Sequence, residues 1–303
     1  MKSYGNVMVE TSINPQSFRE LISALNLEPP VLIKPNWGSV ECYTEAEILD
    51  WVLSVIQGEV LVIESYGWAR SEEILLGKKQ GAKTRSNLRK SDRWFLEYSG
   101  IAKVLEKHRV EYINLTEEIW AGRIADPDLI RQAVEEKYPP VQLEEMYGQV
   151  PARIYDFKGG TLLSLAKYRL LFAPIVVTFT IKNLFGLIPG PSRGKFHGGG
   201  NSRMDQSIVD INKIYRSLFS VKGIVEAVFT AGDGRGSFNR QEVSRNIGVA
   251  LGCENTLDLD AFTSVLAGCD PGAVGYLKLA AQHFGNWDPQ VYTMAKQIGI
   301  RIF

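Results

Sequence analysis

Short β-branched runs alternate with amphipathic stretches along much of the chain. Val31-Leu32-Ile33 and Val60-Leu61-Val62-Ile63 flank a segment, 45–56, whose apolar residues recur at three- and four-residue spacing. This is the pattern of a β-α-β unit. Such a unit brings the carboxyl ends of its two strands to one edge of a sheet, where open α/β folds bind ligands. The first strand runs into Lys34-Pro35-Asn36-Trp37-Gly38 and the second into Glu64-Ser65-Tyr66-Gly67-Trp68. Two polar loops should therefore lie side by side.

Further along, the spacing predicts a helix over 95–108 and a strand over 110–114, continuing the alternation. Between them and the first unit, residues 68–93 are polar and basic with few apolar anchors, the pattern of a lid-like insertion. The Glu- and Pro-rich stretch 121–149 is expected to wrap the surface before a strand at 150–155. Strands are also predicted at 162–166, within the apolar run 170–179 (at 175–180), and at 224–230. Helices are predicted at 204–219, 259–266 and 273–284. The expected fold is α/β and two-lobed, with mixed, mostly parallel sheets flanked by helices and a ligand cleft between the lobes. An N-terminal lobe would span 1–150, with the insertion near 68–93, and a C-terminal lobe 151–303.

Charge narrows the function. Lys plus Arg and Asp plus Glu each total 34, so the chain lacks the basic excess that holds non-specific nucleic-acid binders to phosphate. No apolar run is long enough to span a bilayer, and the first ten residues lack the apolar core of a signal peptide, so a cytoplasmic protein is expected. Cys42, Cys253 and Cys269 show no C-x-x-C spacing, against a disulfide framework, a thiolate zinc site or a cysteine-ligated cluster.

The richest chemistry lies in I-K-N-L-F-G-L-I-P-G-P-S-R-G-K-F-H-G, residues 181–198. Lys182 and Asn183 would sit at a strand end. The glycines that follow allow close backbone approach, and Arg193 and Lys195 add cations, together a loop suited to a carboxylate or phosphate. His197, in a glycine-rich setting, is a candidate acid/base. A second glycine-rich turn carries Asp233 and Arg235 as candidate ligand-binding residues. Asp258 and Asp260 precede a predicted helix that one of them would cap. A metal, were one bound, would use His197 with Asp233, Asp258 and Asp260, a hard, oxygen-rich set. Phosphate-binding-loop and dinucleotide-binding patterns are absent, as are the nucleophile elbow and the H-E-x-x-H helix.

I-K-P-N-W, S-L-A-K-Y-R, I-K-N-L-F-G-L-I-P-G with its following histidine, A-G-D-G-R-G, L-D-L-D-A-F and G-C-D-P-G-A-V-G-Y-L-K-L-A occur in that order. Together they resemble the domain-of-unknown-function family 362. The resemblance implies signature polar positions at Lys34, Asn36, Lys167, Lys182, Asn183, His197, Asp233, Asp258 and Asp260. Where the family has K-x-K-x-H, this chain reads Lys167-Tyr168-Arg169-Leu170-Leu171, so Arg169 replaces the second cation and the histidine is missing. Some members carry a ferredoxin-like domain, which implies redox work and, for this chain, an external ferredoxin-like partner. A fainter likeness to nickel-pincer lactate racemase is a fold-level analogy. No cofactor or oligomeric state is assigned. The expected function is an enzyme acting on an anionic small molecule, with Lys34, Asn36, Arg169, Asn183, Arg193 and Lys195 as ligand-binding residues. His197, Lys182 and Lys167 would be catalytic. The alternatives are a non-catalytic metabolite-binding or sensing protein and a metal-dependent or redox enzyme.

Overall fold

The computed structural model describes residues 1–67, 70–71, 84–171, 176–190, 193–233, 242–245 and 247–298. The chain opens with strands β1 (Lys2–Tyr4) and β2 (Val7–Glu10) and helix α1 (Pro15–Ser23). A capping box starts α1: the Asn14 side chain accepts from the Ser17 backbone, and the Ser17 hydroxyl accepts from Asn14 N–H. The predicted unit follows as β3 (Val31–Lys34), α2 (Ala46–Leu53) and β4 (Val60–Glu64). The expected single helix over 95–108 is two, α3 (Arg85–Tyr98) and α4 (Ile101–His108). They are split at Gly100, whose φ of 77° belongs to the left-handed region a helix cannot continue through.

Strand β5 (Glu111–Asn114) leads directly into α5 (Leu115–Trp120), and α6 (Pro127–Glu135) lies within the stretch expected to wrap the surface. The strand expected at 150–155 is instead a single helical turn, α7 (Ala152–Tyr155), begun by Pro151. Then come β6 (Thr161–Lys167) and the short β7 (Arg169–Leu170). The strand expected at 175–180 is absent among the described residues: Val177 makes an isolated bridge to Leu170, and α8 (Thr180–Asn183) begins at once. After α9 (Gly194–His197) and α10 (Met204–Leu218) come β8 (Ser220–Ala227), β9 (Thr230–Asp233), β10 (Glu242–Arg245) and β11 (Val249–Cys253). Helices α11 (Thr256–Leu266), α12 (Gly275–Phe284) and α13 (Val291–Gln297) complete the order.

The fold is α/β. Eight strands form one sheet in the order β1-β2-β11-β8-β6-β3-β4-β5. From β8 to β5 every neighbouring pair is parallel, and the β11, β2 and β1 side is antiparallel. A second, three-stranded sheet has the order β10-β9-β7. Alternation along the strands divides the core: Leu32, Leu61, Ile63 and Leu162 pack on one face, while Val31, Ile33, Val62 and Leu163 pack on the other. Helices cover both faces, which is why the central strands read as continuous apolar runs. The sheet runs across the expected lobe boundary near residue 150, because β3 pairs directly with β6. Among the described residues no helix is long and apolar enough to cross a membrane. Most of the insertion expected near 68–93 lies outside the described residues, and its last part is the first turns of α3.

The strand order locates the site. From β3 the chain steps outward to β4 and β5, then returns to lay β6 on the other side of β3 and continues to β8. That reversal leaves a crevice outside the carboxyl ends of β3 and β6, the position at which open α/β sheets accept ligands.

Candidate functional site

At this crevice lies a cavity of about 140 Å³. Its wall includes Lys34, Asn36, Arg169, Lys182, Asn183 and Arg193, six of the residues expected from the sequence to bind or act on a ligand. Glu64 is the one carboxylate among the described lining residues; Trp37, Gly38, Gly67, Thr178, Phe185 and Gly186 are also at the wall. The two loops after β3 and β4 do lie side by side: Glu64 Oε2 accepts from Trp37 N–H at 3.2 Å, and Arg70 N–H donates to Gly38 O at 3.0 Å.

Lys34 ends β3 as a buried ammonium, donating to Glu64 Oε2 at 2.8 Å and to Pro35 O at 2.7 Å. Burial pushes its pKa down, against the pull of the Glu64 carboxylate. Asn183 binds the loop by both ends of its amide. Its Nδ2 donates to Lys34 O at 3.0 Å and Ser164 Oγ at 3.2 Å, which leaves Oδ1 to accept from Asn36 Nδ2 at 3.3 Å and Lys34 Nζ at 3.4 Å. Close approach here requires glycine at 186, since a Cβ would stand 2.9 Å from Lys34 Nζ. Arg193 donates to Ile188 O at 2.7 Å, to Gly186 O at 3.0 Å and to the Ser65 hydroxyl. Burial lowers its pKa to about 10.

Lys182 differs from the other cations. It is half-buried, its Nζ lies 4.8 Å from the centre of the Phe185 ring, and among the described residues no carboxylate pairs with it. Burial, then Arg193, Arg169 and Lys34, lower its pKa to about 7. His197 lies on the far part of the same segment, with its ring 5.1 Å from that of Phe185, beside the cavity and not in its wall. Burial, reinforced by Lys182 and Arg193, lowers the pKa of His197 and favours neutral imidazole.

The helical turn that presents Lys182 and Asn183 is held from a distance. Asp260, fully buried in α11, accepts from Thr180 N at 2.9 Å, Thr180 Oγ1 at 2.5 Å and Ile181 N at 2.9 Å, so it serves as the acceptor for the amino end of α8. Asn212 Nδ2 donates to Ile181 O at 2.9 Å on the other side. Burial raises the Asp260 pKa to about 7. Neither Asp258 nor Asp260 caps α11, as the sequence had suggested; Asn255 does. Asp258 instead accepts from Asp288 N at 2.8 Å and Asn6 Nδ2 at 3.4 Å.

Residues 172–264 match the model of DUF362, a domain of unknown function. The family resemblance read from the sequence is thus found over that stretch, which is under a third of the chain. The DUF362 stretch contains Lys182, Asn183, Arg193, His197 and Asp260, whereas Lys34, Asn36, Glu64 and Arg169 precede it. Neither a curated protein nor a solved structure matches the chain, and nothing there carries the likeness to nickel-pincer lactate racemase.

Several expected residues stand apart. Lys167 is a correction: it is fully buried outside the cavity wall, with Glu45 Oε2 at 2.6 Å and Glu226 Oε1 at 2.9 Å. The two carboxylates outweigh burial and push the Lys167 pKa up, while burial, with Glu45 nearby, pushes the Glu226 carboxyl up against the pull of Lys167. Lys195 lies outside the cavity wall as well, exposed and 3.6 Å from Glu145. Asp233 ends β9, whose Gly232 is paired with Arg169, but its side chain and all of Arg235 lie outside the described residues. His197, Asp258 and Asp260 have separate surroundings, and among the described residues no group of three or more His, Cys, Asp or Glu could hold a metal ion. Glu64 and Phe185 were not singled out from the sequence as site residues, although Glu64 opens one of the two loops at the sheet edge and Phe185 lies inside the marked motif.

Proposed function

We propose that this protein is an enzyme whose cavity at the carboxyl edge of β3 and β6 binds the carboxylate or phosphate of a small molecule. The observation that carries this reading is the charge of the wall: Lys34, Arg169, Lys182 and Arg193 line one space, with Glu64 as the lone carboxylate among its described lining residues. Several cations held at one place attract an anion more strongly than a single surface charge does, and the same arrangement stabilises negative charge that develops on oxygen during reaction. A cavity of about 140 Å³ takes the charged end of a metabolite and little more. Two groups with pKa values set near or below neutrality by their surroundings, Lys182 and His197, stand beside that anion as acid or base.

The test is binding of inorganic phosphate and of pyruvate, followed by calorimetry at low ionic strength and by thermal unfolding. Saturation to 100 times Kd should raise stability by about 2.7 kcal/mol. An unchanged unfolding temperature with both anions up to tens of millimolar would sink the reading. A non-catalytic binding protein is favoured by one feature, the place of His197 outside the wall. His197→Ala separates the two readings, since anion binding should survive and turnover should not.

A further inference from the structure

We propose that Lys182 is a nucleophile that forms an imine with the carbonyl carbon of a small 2-oxo acid held in the cavity. This rests on the anion-binding reading above and adds a covalent step to it. The argument begins with a comparison among lysines. The four buried lysines of the described structure each donate to oxygen: Lys34 to Glu64, Lys167 to Glu45 and Glu226, Lys213 to Asp210, and Lys222 to Leu25 O and Asn26 O. Lys182, half-buried and in the cavity wall, has the face of Phe185 instead. A carboxylate partner would hold the proton on nitrogen and hide its lone pair. Here the neighbours are cations, which favour the free amine, in keeping with a pKa near 7.

The same cations orient the partner. A carboxylate attracted to Arg169 and Arg193 places the carbon next to it within the small space that Lys182 lines. The Lys182 lone pair attacks the carbonyl carbon, forming the C–N bond as the C=O π pair moves to oxygen. One proton passes from nitrogen to that oxygen and a second comes from the solvent, water leaves, and a protonated imine remains. One water is released, and no oxidant or reductant is needed. The iminium so formed draws electrons from the adjacent carbon, and this suits proton abstraction or carbon–carbon cleavage next to the former carbonyl.

The experiment treats the full chain at pH 7.5 with pyruvate and then borohydride, which reduces an imine to a stable secondary amine, and maps the adduct by peptide mass spectrometry. An amine with pKa near 7 has a neutral fraction at neutral pH larger by about three orders of magnitude than an ordinary lysine, so even with its weaker basicity Lys182 should be labelled at least about tenfold more than any other lysine. Inorganic phosphate should suppress that label, acetone should give little of it, and Lys182→Arg should abolish it. The peptide map of the unaltered protein decides the matter even if the variant does not fold. Absence of an adduct, or label spread evenly over surface lysines, overturns the proposal. If phosphate still raises the unfolding temperature in that case, only the covalent step has failed; if it does not, the anion-binding reading falls with it.

Discussion

Arg193 carries a positive charge into a buried wall and spends its hydrogen bonds on Ile188 O, Gly186 O and Ser65. Its removal should therefore weaken anion binding and loosen the loop together. Arg193→Gln is expected to lower phosphate affinity by about 10- to 100-fold, the range for losing one charged partner, whereas Lys195→Ala, on the exposed side, should change it less than about twofold. Calorimetric titration of the two variants checks this. Lys182 makes a prediction about pH. Its folded pKa is lowered from 10.5 to about 7, so between those values the unfolded chain binds the extra proton and stability rises with pH. Lys182→Met should then stabilise the protein at pH 7 and do so less at pH 10, as measured by urea unfolding at the two pH values. A gain that grows with pH would contradict the assigned direction.

At the scale of elements, α8 is too short to sustain itself, since a four-residue turn satisfies almost none of its own N–H groups. Asp260 and Asn212 from α11 and α10 supply what it lacks. Asp260→Ala leaves the buried N–H groups of Thr180 and Ile181 without an acceptor, while the Thr180 hydroxyl keeps Thr256 O, and should cost about 2–3 kcal/mol in urea unfolding. Phosphate affinity should fall as well, because α8 carries Lys182 and Asn183. The Gly186 position is the second lever. Adding a methyl group there drives into Lys34, itself locked to Glu64, so Gly186→Ala should cost about 1–3 kcal/mol and reduce phosphate affinity. Thermal unfolding with and without phosphate would show both effects.

Across the whole molecule, the single eight-stranded sheet explains why a site can draw on residues from 34 to 193. The cavity wall comes from both sides of residue 150, and β3, whose last residue is Lys34, has β4 on one side and β6 on the other. A fragment of residues 1–150 would leave β3 without β6 and expose Val31, Leu32 and Ile33 at an edge. It should fail to unfold cooperatively by itself, which circular dichroism against urea would reveal.

Much of this was legible in the chain. The β-α-β unit, the parallel strands and the polar residues at their ends follow from periodicity and strand punctuation, because a strand buried on both faces must be apolar until it reaches the sheet edge. Lys34 was readable as a site candidate for that reason, and Lys182 and Arg193 from the glycine-rich motif that carries them. Local pattern also misled: 175–180 is as apolar as a strand, yet among the described residues, 176–180, only Val177 makes a bridge, to Leu170, before α8 starts. Lys167 and Lys182 look alike as lysines after apolar runs. Only the tertiary structure tells them apart, since Glu45 and Glu226 come from distant segments to surround one, while Arg169, Arg193 and Lys34 surround the other. By itself the sequence determined which residues can carry charge to a sheet edge, through the two-sided burial of its strands. Which of those charges are neutralised, and which are left facing a cavity, was decided by long-range pairing across the sheet, because Coulomb partners depend on distance in space and not along the chain.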